Sequence, residues 1–178
     1  ESPADMKGLK MRVMTAPVWV KLTESLGASA TPVPWPELPG ALQQGVVDGQ
    51  ENGVTNILNA SLYQHQKYAS LDGHVFSWHA YMINDAFFNG LTAKEQKVVL
   101  RGIAIAKVIH RGMTAAQDAN AEVILSAKGL KVTPLSAEQK AEFRKRAQPA
   151  VRAWVEEQIG AEWPTKLEAA VNGYRAEN

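Results

Sequence analysis

Gln50, Glu51 and Asn52 stand in a row at the end of a polar, glycine-punctuated stretch that runs from Gln43 to Asn52. Gly45 and Gly49 free the backbone for tight or left-handed turns, and Asp48-Gly49 is a strong turn signal. The sequence therefore predicts a loop between two helical segments that presents two amides and a carboxylate as short hydrogen-bonding groups. A ligand-facing loop and a plain solvated connection both fit that composition. Asp48 and Glu51 also suit paired carboxylates for acid–base work, although a turn acid beside a helix-start acid explains them equally well.

Arg12 is the second residue with chemical meaning. The segment Lys7-Gly8-Leu9-Lys10-Met11-Arg12-Val13 alternates, with Leu9, Met11 and Val13 on one face of a short strand and Lys10 and Arg12 on the other. On a solvent face Arg12 is an exposed charge. Facing a cleft, its planar guanidinium is a fork for a carboxylate. Trp19 and Trp35 suit a core better than a ligand platform, with Trp35 the exception because Pro34 and Pro36 hold it in a stiff loop before a helix start. The four histidines are His65, His74, His79 and His110. On one regular strand His74 and His79 point to opposite faces, so they lack the spacing of metal ligands. There is no Gly-x-Ser-x-Gly elbow, phosphate-cradling glycine loop or His-Glu-x-x-His motif. The main hydrolase, nucleotide and zinc-protease motifs thus have no support, no metal or cofactor is expected, and the Asp48 and Glu51 pair alone suits an enzyme.

These residues need elements to hold them. Ala16 to Leu26 has helical apolar spacing and is closed by Gly27; a second strand is expected at Ala30 to Val33, stopped by Pro34. Strand, helix and strand in this order imply a parallel crossover. A short helix from Pro36 to Gln44 precedes the polar stretch, and Val54 to Tyr68 reads as a helical turn or two with a polar connection. Val75 to Ile83 reads as extended. Thr92 and Glu95 form a capping box for a helix running to Ser126, striped with Val99, Ile103, Ala106, Ile109, Met113, Ala116 and Ile124. At ~1.5 Å per residue that helix would be about 50 Å long, so it must bridge, bend or meet a partner. Leu130 to Val132 is a candidate edge strand. Ser136 and Gln139 form a second capping box, for a helix that Pro149 should kink or interrupt. A last helix spans Trp163 to Tyr174.

The 178 residues are 46% hydrophobic and 21% charged, ordinary for a folded globular chain. A net charge of +1 without basic blocks argues against nucleic acid as a partner. The absence of cysteine excludes disulfides and thiolate chemistry. No apolar run approaches the ~20 residues of a membrane span, and Glu1-Ser2-Pro3-Ala4-Asp5 is not expected to be a signal peptide.

Taken together, Lys7 to Val13, Leu26-Gly27-Ala28, Pro32 to Glu37, Ala41 to Asn52, Tyr63 to Tyr68 and Gly73-His74 resemble the solute-binding proteins of tripartite ATP-independent periplasmic (TRAP) transporters, the DctP-like family. The Asp-Gly-Gln-Glu-Asn run at this distance after Lys-Gly-Leu-Lys-x-Arg-Val carries the resemblance, which covers most of the chain and is weaker after Leu91. The chain departs from the family at Gly53, where members usually have proline, at Leu38-Pro39-Gly40, and in being about half the usual length.

The resemblance implies an α/β fold: the second lobe of a periplasmic-binding-protein-like structure with long C-terminal helices, the N-terminal lobe being absent. Residues 1–83 would form the ligand-binding lobe and the strand returning toward the other lobe. Residues 84–178 would form a helical region. It implies a periplasmic, non-catalytic protein that captures a small carboxylate and delivers it to TRAP permease subunits. Arg12 matches the carboxylate clamp, Asn52 the asparagine beside it, and Trp35 the aromatic position near the ligand. Thr15 and Trp19 match cleft-lining positions, and His74 a recurrent histidine standing behind the ligand contacts. The cleft would be completed by an N-terminal lobe or a homodimer. The competing expectation is a module that binds no solute and forms a homo-oligomer or domain-swapped dimer through its apolar helix face.

Overall fold

The alternating segment at the start of the chain becomes the central strand. In a computed structural model that describes residues 2–177, β1 (Lys10–Val13) lies between two parallel neighbours. Glu1 and Asn178, the ends of the two expected regions, lie outside the described residues. α1 (Pro17–Ser25) opens on proline, whose fixed φ suits a first helical position. The chain then turns at Gly27, whose φ of 94° only glycine takes without strain, into β2 (Ser29–Pro32). Arg12 is in register with Thr31 on β2, which establishes the expected parallel crossover.

The polar stretch from Gln43 to Asn52 is not wholly a loop. Gly49–Gln50 forms β3, a two-residue strand on the other side of β1, with Met11 opposite Gly49 and Arg12 opposite Gln50. Asp48 secures the junction: its backbone N–H donates to the Lys10 carbonyl and its carboxylate accepts from the Lys10 N–H, both at 2.8 Å. A Cβ at position 49 would stand 3.0 Å from the Met11 sulfur, so this strand glycine serves close packing against Met11.

One apolar cluster underlies the site. It joins Leu38 and Leu42 of α2 (Leu38–Gln43), Val47, Val54 and Ile57 of α3 (Val54–Asn59), Leu62, and Ala121 and Leu125 of a later helix, α6 (Ala121–Ala127). A single 3-10 turn, Trp35–Glu37, leads into α2. β4 (Tyr68–Leu71) pairs in parallel with β5 (Lys131–Pro134) as a second, two-stranded sheet. The second cluster packs Leu22 and Leu26 of α1 against Leu135 and against Phe143 and Ala147 of α7 (Ala137–Ile159).

Two expectations about the helices need correction. α7 runs through Pro149 without interruption. The lost hydrogen bond and ring clash cost about 3 kcal/mol, and burial of Phe143 and Ala147 before the proline, with Val151 packed beyond it, offsets them. The long helix does not reach Ser126: α5 (Ala93–Ala119) stops at Asn120, whose side-chain amide donates to the Ala116 carbonyl, and α6 begins afterward. Both expected capping boxes, Thr92 with Glu95 and Ser136 with Gln139, are formed. The last helix, α8, spans Glu162–Glu177. Before α5, a short α4 (Asp85–Asn89) starts on an Asn84 cap.

Residues 75–83 form no strand, because no neighbour supplies a ladder among the described residues. Their alternation survives in their exposure. Phe76, Trp78 and Met82 are 80–90% exposed, whereas the rings of His79 and Tyr81 lie 5.3 and 6.5 Å from that of His110 on α5. α5 itself buries no residue, and Val98, Ile105, Val108 and Met113 stay open along its ~40 Å length. A wide apolar cleft of about 1360 Å³ lies between α1, α7, α8 and residues 72–78.

Candidate functional site

Arg12 occupies the middle of the central strand, and the fold buries it to 1% exposure. The exposed-charge reading of this residue is therefore wrong. Its Nε donates to the Val33 carbonyl at 2.8 Å, and its Cζ lies 5.8 Å from the Trp35 ring, within cation–π reach. Nη1 is buried and has no hydrogen-bond partner among the described residues. Such a donor costs stability unless something fills it. Burial pushes the guanidinium pKa down, and the negative charge of Glu51 opposes that shift.

Trp35 keeps 42% of its surface open beside the Arg12 guanidinium, held by Pro34 and the short turn into α2. Asn52 lies two residues beyond the strand neighbour of Arg12. Its Nδ2 donates to Gln50 Oε1 at 2.6 Å, and its Oδ1 accepts from Asn56 Nδ2 at 3.0 Å. Gln50 Nε2 in turn donates to Gln66 Oε1 at 3.2 Å. Sequence reasoning picked out Gln50 as a hydrogen-bonding group of the polar stretch but not its place beside Arg12, and it did not pick out Asn56 or Gln66 as its partners. The period-two run Asp48, Gln50, Asn52 was the available signal, since it is what a strand leaving the sheet beside Arg12 would show.

His74 binds the loop after β3 to the exit of β4. Its Nδ1 lies 2.8 Å from Asp72 and its Nε2 3.5 Å from Glu51. Burial alone would lower its pKa, but the hydrogen bonds and charges of Asp72 and Glu51 outweigh that and raise it to about 9. The same pairing holds the Asp72 carboxyl below its usual range against the opposing effect of burial. At neutral pH His74 is thus a cation that offsets Glu51 and leaves the charge of Arg12 less compensated. Because the folded pKa lies above the ordinary 6.5, the stabilisation is full below that value and is lost as pH rises through about 9. The gap in urea midpoint between the parent and His74→Gln should therefore shrink from about pH 6 to about pH 10. A gap independent of pH would show that His74 does not carry this charge.

Thr15 is exposed in the turn from β1 to α1. Trp19 packs with the cluster formed by α1 and α7 rather than in the hydrogen-bonded group around Arg12. The structure therefore brings Arg12 and Trp35 together directly, and ties Asn52 and His74 to them through Gln50 and Glu51. Among the described residues no group of three or more histidine or acidic side chains could hold a metal, and no helix is long and apolar enough to cross a membrane.

Residues 1–158 match the DctP family, bacterial extracellular solute-binding protein family 7. The chain belongs to this family. DctP-family proteins are solute-binding transport proteins and not enzymes. A solute-binding protein of Verminephrobacter eiseniae is 37% identical over 160 residues, covering 90% of this chain and 47% of that protein. A TRAP periplasmic solute-binding protein of Ochrobactrum anthropi, with its C-terminus bound in its ligand-binding pocket, superposes with a TM-score of 0.76 at 36% identity. That match covers 99% of this chain and 55% of the other. Another, from Polaromonas and bound to D-erythronate, gives 0.81 at 34% identity over 90% of this chain and 52% of its own. The chain spans about half the length of the curated relatives it matches. The α/β architecture with long C-terminal helices is that of TRAP periplasmic binding proteins.

Proposed function

We propose that this chain is the second-lobe portion of a periplasmic solute-binding protein that captures a small carboxylate and passes it to a TRAP permease. The observation that carries the reading is the buried, unpartnered Nη1 of Arg12 beneath the exposed ring of Trp35. In it, Arg12 pairs with the ligand carboxylate, Asn52 hydrogen-bonds it and Trp35 packs on the ligand body. Thr15 and Trp19 line the outer cleft, and His74 acts from behind by balancing Glu51. Residues 1–83 carry the contacts of the binding lobe; within the largely helical residues 84–178, α6, β5 and α7 pack back onto that lobe, and α5 spans to whatever supplies the second wall, an N-terminal lobe or a second copy.

D-Erythronate, the acid bound by the Polaromonas relative, is the probe. Titrated into isotopically labelled chain, it should saturate and shift the Arg12 Nε–H and the Trp35 indole resonances. Millimolar acid that moves neither would sink the reading.

A second reading is favoured by one observation, the bare apolar row Phe76, Trp78 and Met82 beside an unburied α5. In this case the chain is an interaction module that binds no solute. Native mass spectrometry separates the two, since the module gives a dimer whose mass and spectrum ignore the acid.

A further inference from the structure

We propose that Gln50, supported by Asn56 and Gln66, is a positioning residue that fixes the direction of the Asn52 amide so that the site offers its ligand N–H donors only. The inference rests on the carboxylate-binding reading and names what gives that site its preference for a charged acid over a neutral amide.

Four side-chain amides donate in a single direction. Asn56 Nδ2 donates to Asn52 Oδ1 at 3.0 Å, Asn52 Nδ2 to Gln50 Oε1 at 2.6 Å, and Gln50 Nε2 to Gln66 Oε1 at 3.2 Å. Turning Asn52 over alone would set two carbonyl oxygens 2.6 Å apart at Gln50 and two amino groups against each other at Asn56. Gln50 cannot follow without meeting the same conflict at Gln66. The four orientations are therefore coupled, as members of a hydrogen-bonded chain are.

Register supplies the direction in space. Gln50 is the strand neighbour of Arg12, and residues in register on a parallel sheet stand side by side on one face. The nitrogen of Asn52 is bound to Gln50, on the Arg12 side, and its oxygen is held by Asn56 of α3. An amide nitrogen has two N–H groups, and one is spent on Gln50. The spare N–H thus sits on the end of the amide that is bound to Gln50, the strand neighbour of Arg12, and Arg12 Nη1 is also an unused donor among the described residues. Two donors suit a carboxylate, which only accepts. A carboxamide of the same shape can match its oxygen but must set its NH2 against a donor. Gln50 does not touch the ligand in this scheme; it acts through Asn52.

The test compares the parent with Gln50→Met and Gln50→Glu. In free, labelled chain the Asn52 side-chain amide resonances should move in Gln50→Met, which has no acceptor. They should return toward the parent position in Gln50→Glu, which keeps one. D-Erythronate affinity should fall about three- to ten-fold in Gln50→Met, with a comparable loss of preference over D-erythronamide. Unmoved Asn52 resonances together with an unchanged preference would overturn the inference. Should Gln50→Met fail to fold, Gln66→Met probes the end of the chain and must shift the Gln50 amide, or the inference fails. A parent that ignores D-erythronate refutes the carboxylate reading instead, and the resonances of the free chain still decide whether Gln50 orients Asn52.

Discussion

Replacing Arg12 with methionine should lower D-erythronate affinity by about ten- to hundred-fold while leaving the thermal midpoint within about 3 °C of the parent. The loss follows from removing a charge-assisted hydrogen-bonded pair, worth ~1.5–3 kcal/mol. The small change in midpoint follows from opposed effects. Methionine forfeits the bond from Nε to the Val33 carbonyl and the cation–π contact with Trp35, together ~1–3 kcal/mol. It also removes a buried charge whose Nη1 has no partner among the described residues, and relief of that penalty is of similar size. The unbranched thioether fills most of the volume left by the arginine stem. Net changes near 1 kcal/mol move the midpoint of a chain this long by about 2–4 °C. Calorimetric titration and thermal melts read the two quantities separately. If affinity and midpoint fell together, Arg12 would be a structural residue. If neither fell, the carboxylate would be held elsewhere.

How much of this was legible in the sequence depended on whether a residue's neighbours in space were also its neighbours in the chain. Alternation placed β1, and the crossover to β2 followed from Gly27 and the turn it makes. Both capping boxes were visible because each needs only residues three apart. The burial of Arg12 was not visible, because it comes from β2 and β3 closing on either side of it. β3 itself has two residues, too few for a period, and it starts inside a turn signal. The break at Asn120 was hidden because the apolar stripe runs on to Ile124, so the pattern looked continuous across a residue that caps instead. Trp19 and Trp35 could not be separated by type; the prolines showed that Trp35 sits in a stiff loop, and its 42% exposure comes from the fold around that loop. The alternation of residues 75–83 was readable, whereas a strand needs a second strand to pair with.

The largest stability loss should come from Leu125→Ala. Leu125 is fully buried in the cluster that joins α2, α3 and α6, and α6 leads directly into β5. Its removal should cost about 2–5 kcal/mol, the range for a buried leucine whose surroundings collapse only partly. At 2–4 °C per kcal/mol for a chain of this length, that lowers the midpoint by about 4–20 °C. The same cluster holds Val54 and Ile57 of α3, directly after Asn52, so this one residue supports both the second sheet and the loop that offers the amide. Val98→Ala on α5 is the matched comparison: Val98 is 64% exposed, and its loss should stay within about 0.5 kcal/mol. A small loss at Leu125 would mean that the α2, α3 and α6 cluster is not what holds this half together. A large loss at Val98 would mean that the α5 face is covered in solution. A second copy is then the only protein present that can cover it, and the site beside Arg12 would have to be described with that copy as its second wall.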